Sequence, residues 1–262
     1  MGATARKWTD GSQGRRGESS RRGGSGFAFR WVAIGALLLP LVVTLLWLSR
    51  SGSAPDFRRV ANLSAPGDLV VFFGDSITQG YGVRPDESFP AVVGQTLGVP
   101  FVNAGVSGDT MAAGLARIER DVVARRPRLV VVGFGGNDFL RRVPVEDTLR
   151  SLETIVGTLV QEGTMVVILH VGVGLGSDPY LKGFQAVADR RGAVLVPDIL
   201  GGILANPDMR LDPIHPNAKG QRLIAERVIK TLRPLLEEAD RRRGTSGAKS
   251  SAFPLPGFQS VG

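Results

Sequence analysis

The chain has 262 residues, no cysteine, two histidines and a formal net charge of +8, which excludes disulfide frameworks, thiol nucleophiles and cysteine–zinc sites. Residues 1–30 carry +5 of that charge and residues 240–262 carry +3, so the rest of the chain is neutral and shows no nucleic-acid-binding patch. We therefore expect no nucleic-acid partner, no histidine-rich metal centre and no cofactor.

The N-terminal part predicts a membrane anchor. Residues 1–26 are basic and nearly devoid of apolar side chains, which is typical of disorder. A transmembrane signal anchor is predicted over 27–49, because the run Trp31–Leu48 carries no charge and as a helix would span roughly 27 Å of the ~30 Å hydrocarbon core. The basic flank precedes the run, so the remainder of the chain is expected outside the cytoplasm, periplasmic or extracellular. The alternatives are a signal peptide cleaved near 51–53, which would release a secreted protein, and a basic segment that itself binds anionic lipid.

A linker is predicted over 50–66, a globular domain over 67–238 and a disordered tail over 239–262. The domain alternates short β-rich runs with amphipathic helices, which predicts an α/β fold with a five-stranded parallel sheet between two helical layers. The predicted strands are Leu69–Phe73, Val99–Asn103, Leu129–Val132, Met165–Leu169 and Ala193–Val196. The predicted helices are Ser88–Leu97, Thr110–Ala124, Val145–Gln161, Tyr180–Arg190 and Asn217–Glu237.

Polar groups suited to acyl transfer follow several of these strands. Gly74–Ser76 follows the first strand, Asn103–Asp109 ends the second, and Gly133–Asp138 follows the third. Asp212–Asn217 precedes the last helix. Because the carboxyl ends of parallel strands share one edge of the sheet, where open α/β sheets bind ligands, these segments are expected to meet there.

Each residue type has a definite chemical use. A serine hydroxyl such as that of Ser76 is a weak nucleophile unless a base takes its proton, and histidine, here His215, is the residue type suited to be that base. A carboxylate on the other ring nitrogen, supplied by Asp212, sets the tautomer. A developing oxyanion needs fixed donors, for which the Gly105 N–H and the Asn137 amide are candidates.

Taken together, these blocks closely resemble the SGNH (GDSL) hydrolases over residues 67–237. The local sequence is most similar to the arylesterase, thioesterase I and lysophospholipase branch of that family. The resemblance implies a flavodoxin-like three-layer sandwich, with Ser76 as nucleophile, His215 as base and Asp212 as its orienting acid. It also implies an oxyanion hole made by the Ser76 and Gly105 N–H groups and the Asn137 amide.

One loop departs from that branch. Where its members often carry Met-Arg and Pro-Asn-Tyr, this chain has His170 followed by the glycine-rich run 171–176, so acyl-chain preference is left open. His170 itself is expected to be a packed or loop-anchoring histidine, since it ends an apolar strand. Asp75 is expected to brace the nucleophile loop.

The sequence therefore predicts a serine esterase that hydrolyses acyl esters or thioesters of small or lipid substrates. Two alternatives remain open. One is a carbohydrate or cell-wall O-acetylesterase, and the other is a binding module that holds a ligand at the sheet edge without turnover.

Overall fold

A computed structural model of the protein describes residues 57–250 except 173–177 and 179, and for residues 245–250 it describes the backbone alone. The predicted anchor over 27–49 and the disordered segment over 1–26 lie outside the described residues. Within the described ranges, no helix has both the length and the apolar character that crossing a bilayer requires.

The centre of the fold is a parallel sheet of five strands in the order β2-β1-β3-β4-β5. Their bounds are β1 Val70–Gly74, β2 Phe101–Gly105, β3 Leu129–Gly133, β4 Met165–Leu169 and β5 Val194–Val196. This is the order of flavodoxin-like folds, in which the chain reverses direction across the sheet at β1 and β3. Gly74 is in register with Gly105 on one side and Gly133 on the other, so the three strands end together and their following loops share one edge.

Seven α-helices are described. They are α1 Ser76–Gln79, α2 Phe89–Leu97, α3 Met111–Asp121, α4 Gly136–Leu140, α5 Val145–Gln161, α6 Leu181–Arg191 and α7 Ala218–Ser250. Side chains of α2 and α7 pack in one hydrophobic cluster with Val70 and Phe72, and those of α3, α5 and α6 pack in another with Val71 and Phe73. Alternate residues of β1 thus serve opposite faces, which confirms the predicted three-layer α/β arrangement. Because both faces are covered, every residue of β1, β3 and β4 is buried, as expected for parallel strands.

The structure shifts one strand and adds two short helices. β2 was predicted over Val99–Asn103 but begins two residues later, because Val99 donates its N–H to Gly94 O in the glycine-terminated end of α2. Helices α1 and α4 were not predicted, since four or five residues are too few to show helical periodicity. They directly follow β1 and β3, at the edge where the polar segments meet.

The predicted linker is wrong for its second half. Phe57, Leu63 and Ala65 are buried in the core, and the Asn62 amide donates to Val160 O and Thr164 O at 2.8 and 3.1 Å. Three apolar side chains spaced over nine residues were too sparse a signal to predict this packing. Residues 57–66 therefore belong to the globular domain and pack against the edge opposite the carboxyl ends of the strands.

Helix α7 also runs past its predicted end at Glu237. Ala239 is fully buried, Asp240 pairs with the buried Arg128 at 2.6 Å, and Arg243 donates to Gly67 O at 2.6 Å. The prediction of a disordered tail from residue 239 is therefore wrong for the start of that segment. A single buried alanine and ion pairs with residues far away in the sequence compensate for the low apolar content.

Candidate active site

The serine stands at the start of helix α1. Asp75 caps this helix, its side chain accepting the Ile77 N–H at 3.0 Å, and Ser76 is the first helical residue. The strand can end this close to the helix only because residue 74 is glycine, as a Cβ there would lie 2.1 Å from Thr78 Oγ1 and 2.4 Å from Gly133 O. The turn therefore presents the hydroxyl of Ser76 at the carboxyl edge of the sheet.

The histidine and its carboxylate come from the loop before α7. His215 Nε2 lies 3.1 Å from Ser76 Oγ, and His215 Nδ1 lies 2.8 Å from Asp212 Oδ2. An ionised carboxylate can only accept hydrogen bonds, so Nδ1 carries the proton and Nε2 is the acceptor for the serine hydroxyl. The structure brings all three predicted residues into one hydrogen-bonded chain across 139 positions of sequence.

Asp212 is held in its charged form. The hydrogen bond from His215 lowers the pKa of this carboxyl below its ordinary value, and the backbone N–H groups of Ile214 and His215 act in the same direction. Both N–H groups donate to Oδ1, at 2.9 and 2.8 Å. Asp212 is thus fixed by its own loop and leaves Oδ2 for the imidazole.

Three donors in the segments that follow β1, β2 and β3 lack a partner among the described residues. The Ser76 N–H is the first of its helix, where no intrahelical acceptor exists. The Asn137 amide donates one hydrogen to Asp109 O at 3.0 Å and keeps the second. Gly108, at φ +84°, also has a backbone N–H with no acceptor in the described part of the chain.

Gly105 is a different case. Its N–H donates to Asn103 Oδ1 at 3.0 Å, so it is already occupied, contrary to the predicted oxyanion role. The glycine is needed for packing instead, because a Cβ would lie 2.2 Å from the Gln79 N atom. Sequence reasoning chose the first glycine of the segment, and only the backbone path shows that the later one, Gly108, has the open N–H.

An apolar cavity of about 230 Å³ opens beside Ser76 and His215. Asn137 and Gly172 contribute to its wall. Its apolar lining consists of Ile77, Phe139, Leu140, Val171, Leu200, Leu204 and Ile214. These residues come from separate segments, so no local pattern could have grouped them.

Comparison with known proteins gives the family of the chain. The sequence profile of the GDSL-like lipase/acylhydrolase family matches residues 72–223. The chain belongs to this family. It is therefore a carboxylic ester hydrolase.

Among its relatives is the esterase TesA of Pseudomonas aeruginosa, 33% identical over 183 residues that cover 66% of this chain and 91% of the relative. The thioesterase 1/protease 1/lysophospholipase L1 of Escherichia coli strain K12 is 29% identical over 181 residues, covering 66% and 87%. The crystal structure of TesA aligns with a TM-score of 0.61 at 31% identity, covering 64% of this chain and 99% of that one.

The hydrolase has a buried arginine that sequence reasoning missed. Arg117 donates to Gly74 O and Ala104 O, both at 3.0 Å, and to the Asp109 carboxylate at 2.6 Å. Its guanidinium lies 4.5 Å from the centre of the Phe73 ring. Arg117 therefore ties the end of β1 to the loop after β2, and Asp109 in turn accepts from the Asn137 amide through its backbone carbonyl.

The carboxyl next to the nucleophile is electrostatically unusual in this esterase. Burial raises the pKa of Asp75 to about 7, opposed by the Ile77 N–H hydrogen bond and reinforced by the charges of Asp138 and Asp109. Asp138 itself accepts the Met111 N–H at 2.9 Å and the hydroxyl of Thr148 at 3.0 Å. The hydrogen bond from the Ile77 N–H to Asp75 agrees with the predicted bracing role of Asp75, since the carboxyl caps α1.

His170 lies outside the hydrogen-bonded chain of Ser76. It is buried, its Nε2 pairs with Asp178 at 2.9 Å, and its Nδ1 accepts the Asp198 N–H at 3.3 Å. The expected anchoring role is what these contacts provide. Among the described residues, no group of three or more histidine, aspartate or glutamate side chains is placed to hold a metal ion.

Proposed function

We propose that this hydrolase is a serine esterase that cleaves acyl esters or thioesters through an acyl-enzyme. The observation that carries the proposal is the sequence of contacts from Ser76 Oγ to His215 Nε2 at 3.1 Å and from His215 Nδ1 to Asp212 Oδ2 at 2.8 Å. A hydroxyl, a base and an orienting carboxylate in hydrogen-bond reach form the arrangement that activates a serine.

The steps follow from the geometry. Ser76 Oγ attacks the ester carbonyl carbon while its proton passes to His215 Nε2, and a tetrahedral oxyanion forms. Collapse of this intermediate breaks the bond to the alcohol or thiol, which leaves with the proton from Nε2. Water, deprotonated by the same nitrogen, then attacks the acyl-enzyme, and the carboxylic acid is released as Ser76 regains its proton. Asp212 keeps the imidazole in the required tautomer and stabilises its charged form throughout.

The oxyanion needs donors that are in place before the reaction. The Ser76 N–H, the second Asn137 amide hydrogen and the Gly108 N–H suit this role, because each lacks an acceptor in the described part of the chain. Gly108 replaces Gly105 in the proposed set, since the Gly105 N–H is bound to Asn103.

The cavity favours an apolar acyl group. Burial of the acyl chain against the aliphatic and aromatic lining of the cavity should stabilise the bound substrate by about 0.8 kcal/mol for each methylene removed from water. Each added methylene should therefore raise kcat/KM about fourfold until the cavity of about 230 Å³ is filled.

The first experiment tests the nucleophile. The full chain in detergent should hydrolyse p-nitrophenyl butyrate and be labelled by a fluorophosphonate, and Ser76→Ala should abolish both. Ser151→Ala, on the surface-facing side of α5, is the matched control and should behave as wild type. Turnover that survives in Ser76→Ala would disprove the mechanism, and an unlabelled Ser76 with saturable ester binding would point to a binding module.

A panel of esters graded from acetyl to decanoyl then tests the acyl preference. Rising kcat/KM with chain length is expected. A maximum at acetyl, together with acetate release from acetylated glycans, would instead identify an O-acetylesterase.

We also propose an extracytoplasmic, membrane-anchored location, which the uncharged run Trp31–Leu48 and its basic flank support. Protease added to spheroplasts, from which any outer membrane has been removed, should digest the domain, and removal of residues 27–49 should shift it out of the membrane fraction. A domain that becomes accessible to protease only when the spheroplasts are lysed would contradict this orientation.

A further inference from the structure

The tyrosine after the nucleophile helix stacks on the histidine of the site. The ring centres of Tyr81 and His215 are 4.6 Å apart, with the planes inclined at 37°. Tyr81 is 49% exposed as a whole residue, whereas the side chain of His215 is 15% exposed. The tyrosine ring therefore covers one face of an imidazole that would otherwise meet solvent.

The turn that carries Tyr81 is held in place at several points. Gly80 ends α1 at φ +80°, and the Tyr81 N–H donates to Ser76 O at 3.0 Å. Gly82 follows at φ +76°, and a Cβ there would lie 2.1 Å from Leu211 Cδ2. Leu211 in turn donates its N–H to His215 O at 2.8 Å. The turn after the nucleophile helix thus contacts the histidine loop in two places, where the Tyr81 ring meets His215 and where Gly82 lies against the Leu211 side chain.

The two hydrogen bonds of His215 oppose tilting of the imidazole ring only weakly. Asp212 and Ser76 contact the two ring nitrogens, and both bonds lie near the ring plane. They fix the direction of the ring within its plane but resist tilting weakly, and the Asp212 side chain is 38% exposed to competing water. A second ring packed on the face resists tilting directly, and its negative π face attracts the imidazolium formed in each step.

We propose that Tyr81 is a positioning residue for His215 in the reaction proposed above. It keeps the imidazole plane aligned so that Nε2 stays on Ser76 while Nδ1 stays on Asp212. The tyrosine hydroxyl makes no hydrogen bond to the described residues, so the ring alone carries the role. Phenylalanine should therefore replace it, whereas a leucine of similar apolar character should not.

Kinetics of the full chain provide the first test. Tyr81→Leu should lower kcat for p-nitrophenyl butyrate about tenfold with KM within about twofold, because a small misalignment of the base affects the chemical step more than binding. Tyr81→Phe should keep kcat within about twofold of wild type. A Leu variant with unchanged kcat, or a Phe variant as slow as Leu, would overturn the proposal.

The scarcity of histidine allows a spectroscopic test that does not depend on turnover. The chain has only two histidines, so histidine-selective labelling gives one set of ring signals from His215 and one from His170. The stacked ring should shift the His215 C–H protons upfield in wild type and Tyr81→Phe, and Tyr81→Leu should lose that shift. His170, packed edge-on against Phe184, is the internal reference and should not change.

The two readouts separate the possible failures. If His170 also shifts in Tyr81→Leu, the variant has lost its fold, and Tyr81→Gln takes its place in both experiments. A His215 signal that is the same in wild type, Phe and Leu variants would disprove the stack. The NMR measurement is repeated in Ser76→Ala, where the upfield shift of the His215 protons should persist. If ester turnover does not depend on Ser76 while this shift is present, the proposed reaction is refuted and the ring contact is not.

Discussion

The chain places two histidine–aspartate pairs at the same edge of its sheet, and they differ in what the second ring nitrogen meets. In the pair of His215 and Asp212, the carboxylate holds Nδ1 and Nε2 meets the hydroxyl of Ser76. In the pair of His170 and Asp178, the carboxylate holds Nε2 and Nδ1 meets a backbone N–H. The first histidine has a nitrogen that can take a proton from a substrate-facing group, and the second has none.

The pair of His170 and Asp178 is also more deeply buried than the pair of His215 and Asp212. The His170 side chain is 4% exposed and packs edge-on against Phe184, while His215 borders the apolar cavity. A histidine–carboxylate pair is therefore not by itself a sign of catalysis. Its function depends on whether the remaining nitrogen faces a reactive group in a space that a substrate can enter.

Replacing each histidine by glutamine should give the largest difference in activity between two variants. His215→Gln should reduce kcat/KM about 10⁴-fold or more, because loss of the base disables the serine as well. His170→Gln should leave kcat within about tenfold but lower the free energy of unfolding by about 1–3 kcal/mol, since it removes the contacts of the buried imidazole with Asp178 and with the Asp198 N–H. Ester hydrolysis and urea unfolding measure the two effects. A His170 variant as inactive as the His215 variant would break the distinction between the pairs.

A second comparison contrasts a buried arginine of α3, Arg117, with an exposed arginine of the same helix, Arg120. Arg117→Met should lower the free energy of unfolding by about 3–5 kcal/mol, because it leaves the Asp109 carboxylate uncompensated in a buried setting. Arg120→Met on the same helix is the matched control, and it should have little effect because that guanidinium is 77% exposed. Urea unfolding of both variants checks this. Equal stability of the two would show that Arg117 does not hold the loops together.

The two carboxyl groups beside the nucleophile and the base should respond to pH in opposite directions. The pKa of Asp75 is raised to about 7, above the value of about 4 in an unfolded chain. Its stabilising contribution is therefore fully present below pH ~4 and is lost as the pH rises through ~7. Asp212 has a lowered pKa, so its contribution is present at neutral pH and is lost as the pH falls.

The difference in free energy of unfolding between wild type and Asp75→Asn isolates the first of these effects. It should shift by about 2–4 kcal/mol in favour of the Asn variant between pH 4 and pH 8, because asparagine retains the helix cap without a titrating group. Urea unfolding at four pH values measures it. A difference that does not change with pH would mean that Asp75 titrates normally.

Much of the fold was accessible from local patterns. The runs that became β3, β4 and α5 were predicted to within one residue at each end, because strands buried on both faces are continuously apolar and a long amphipathic helix shows its period clearly. Short elements were missed for the same reason. Helices α1 and α4 contain too few residues for a period, although they carry Ser76 and Asn137.

The site was predicted in its residue types and only partly in its atoms. Ser76, Asp212 and His215 were recognised from the chemistry of two short segments, and the structure joins them. The donor on the second loop was assigned to Gly105, whose N–H is in fact taken by Asn103. Whether a backbone N–H is open depends on the path of the chain and the side chains around it, which residue identity does not record.

The amino-acid sequence by itself determined the order of the elements, the layers they form and the reactive groups at the strand ends, because hydropathy period and residue chemistry are local properties. Only the tertiary structure decided that Arg117 contacts the loops of the site, that the Tyr81 ring lies against His215, and that Asp75 is buried enough to change its pKa. These outcomes depend on contacts between segments far apart in the chain. Burial and hydrogen-bond geometry arise from that packing, and no short stretch of sequence contains them.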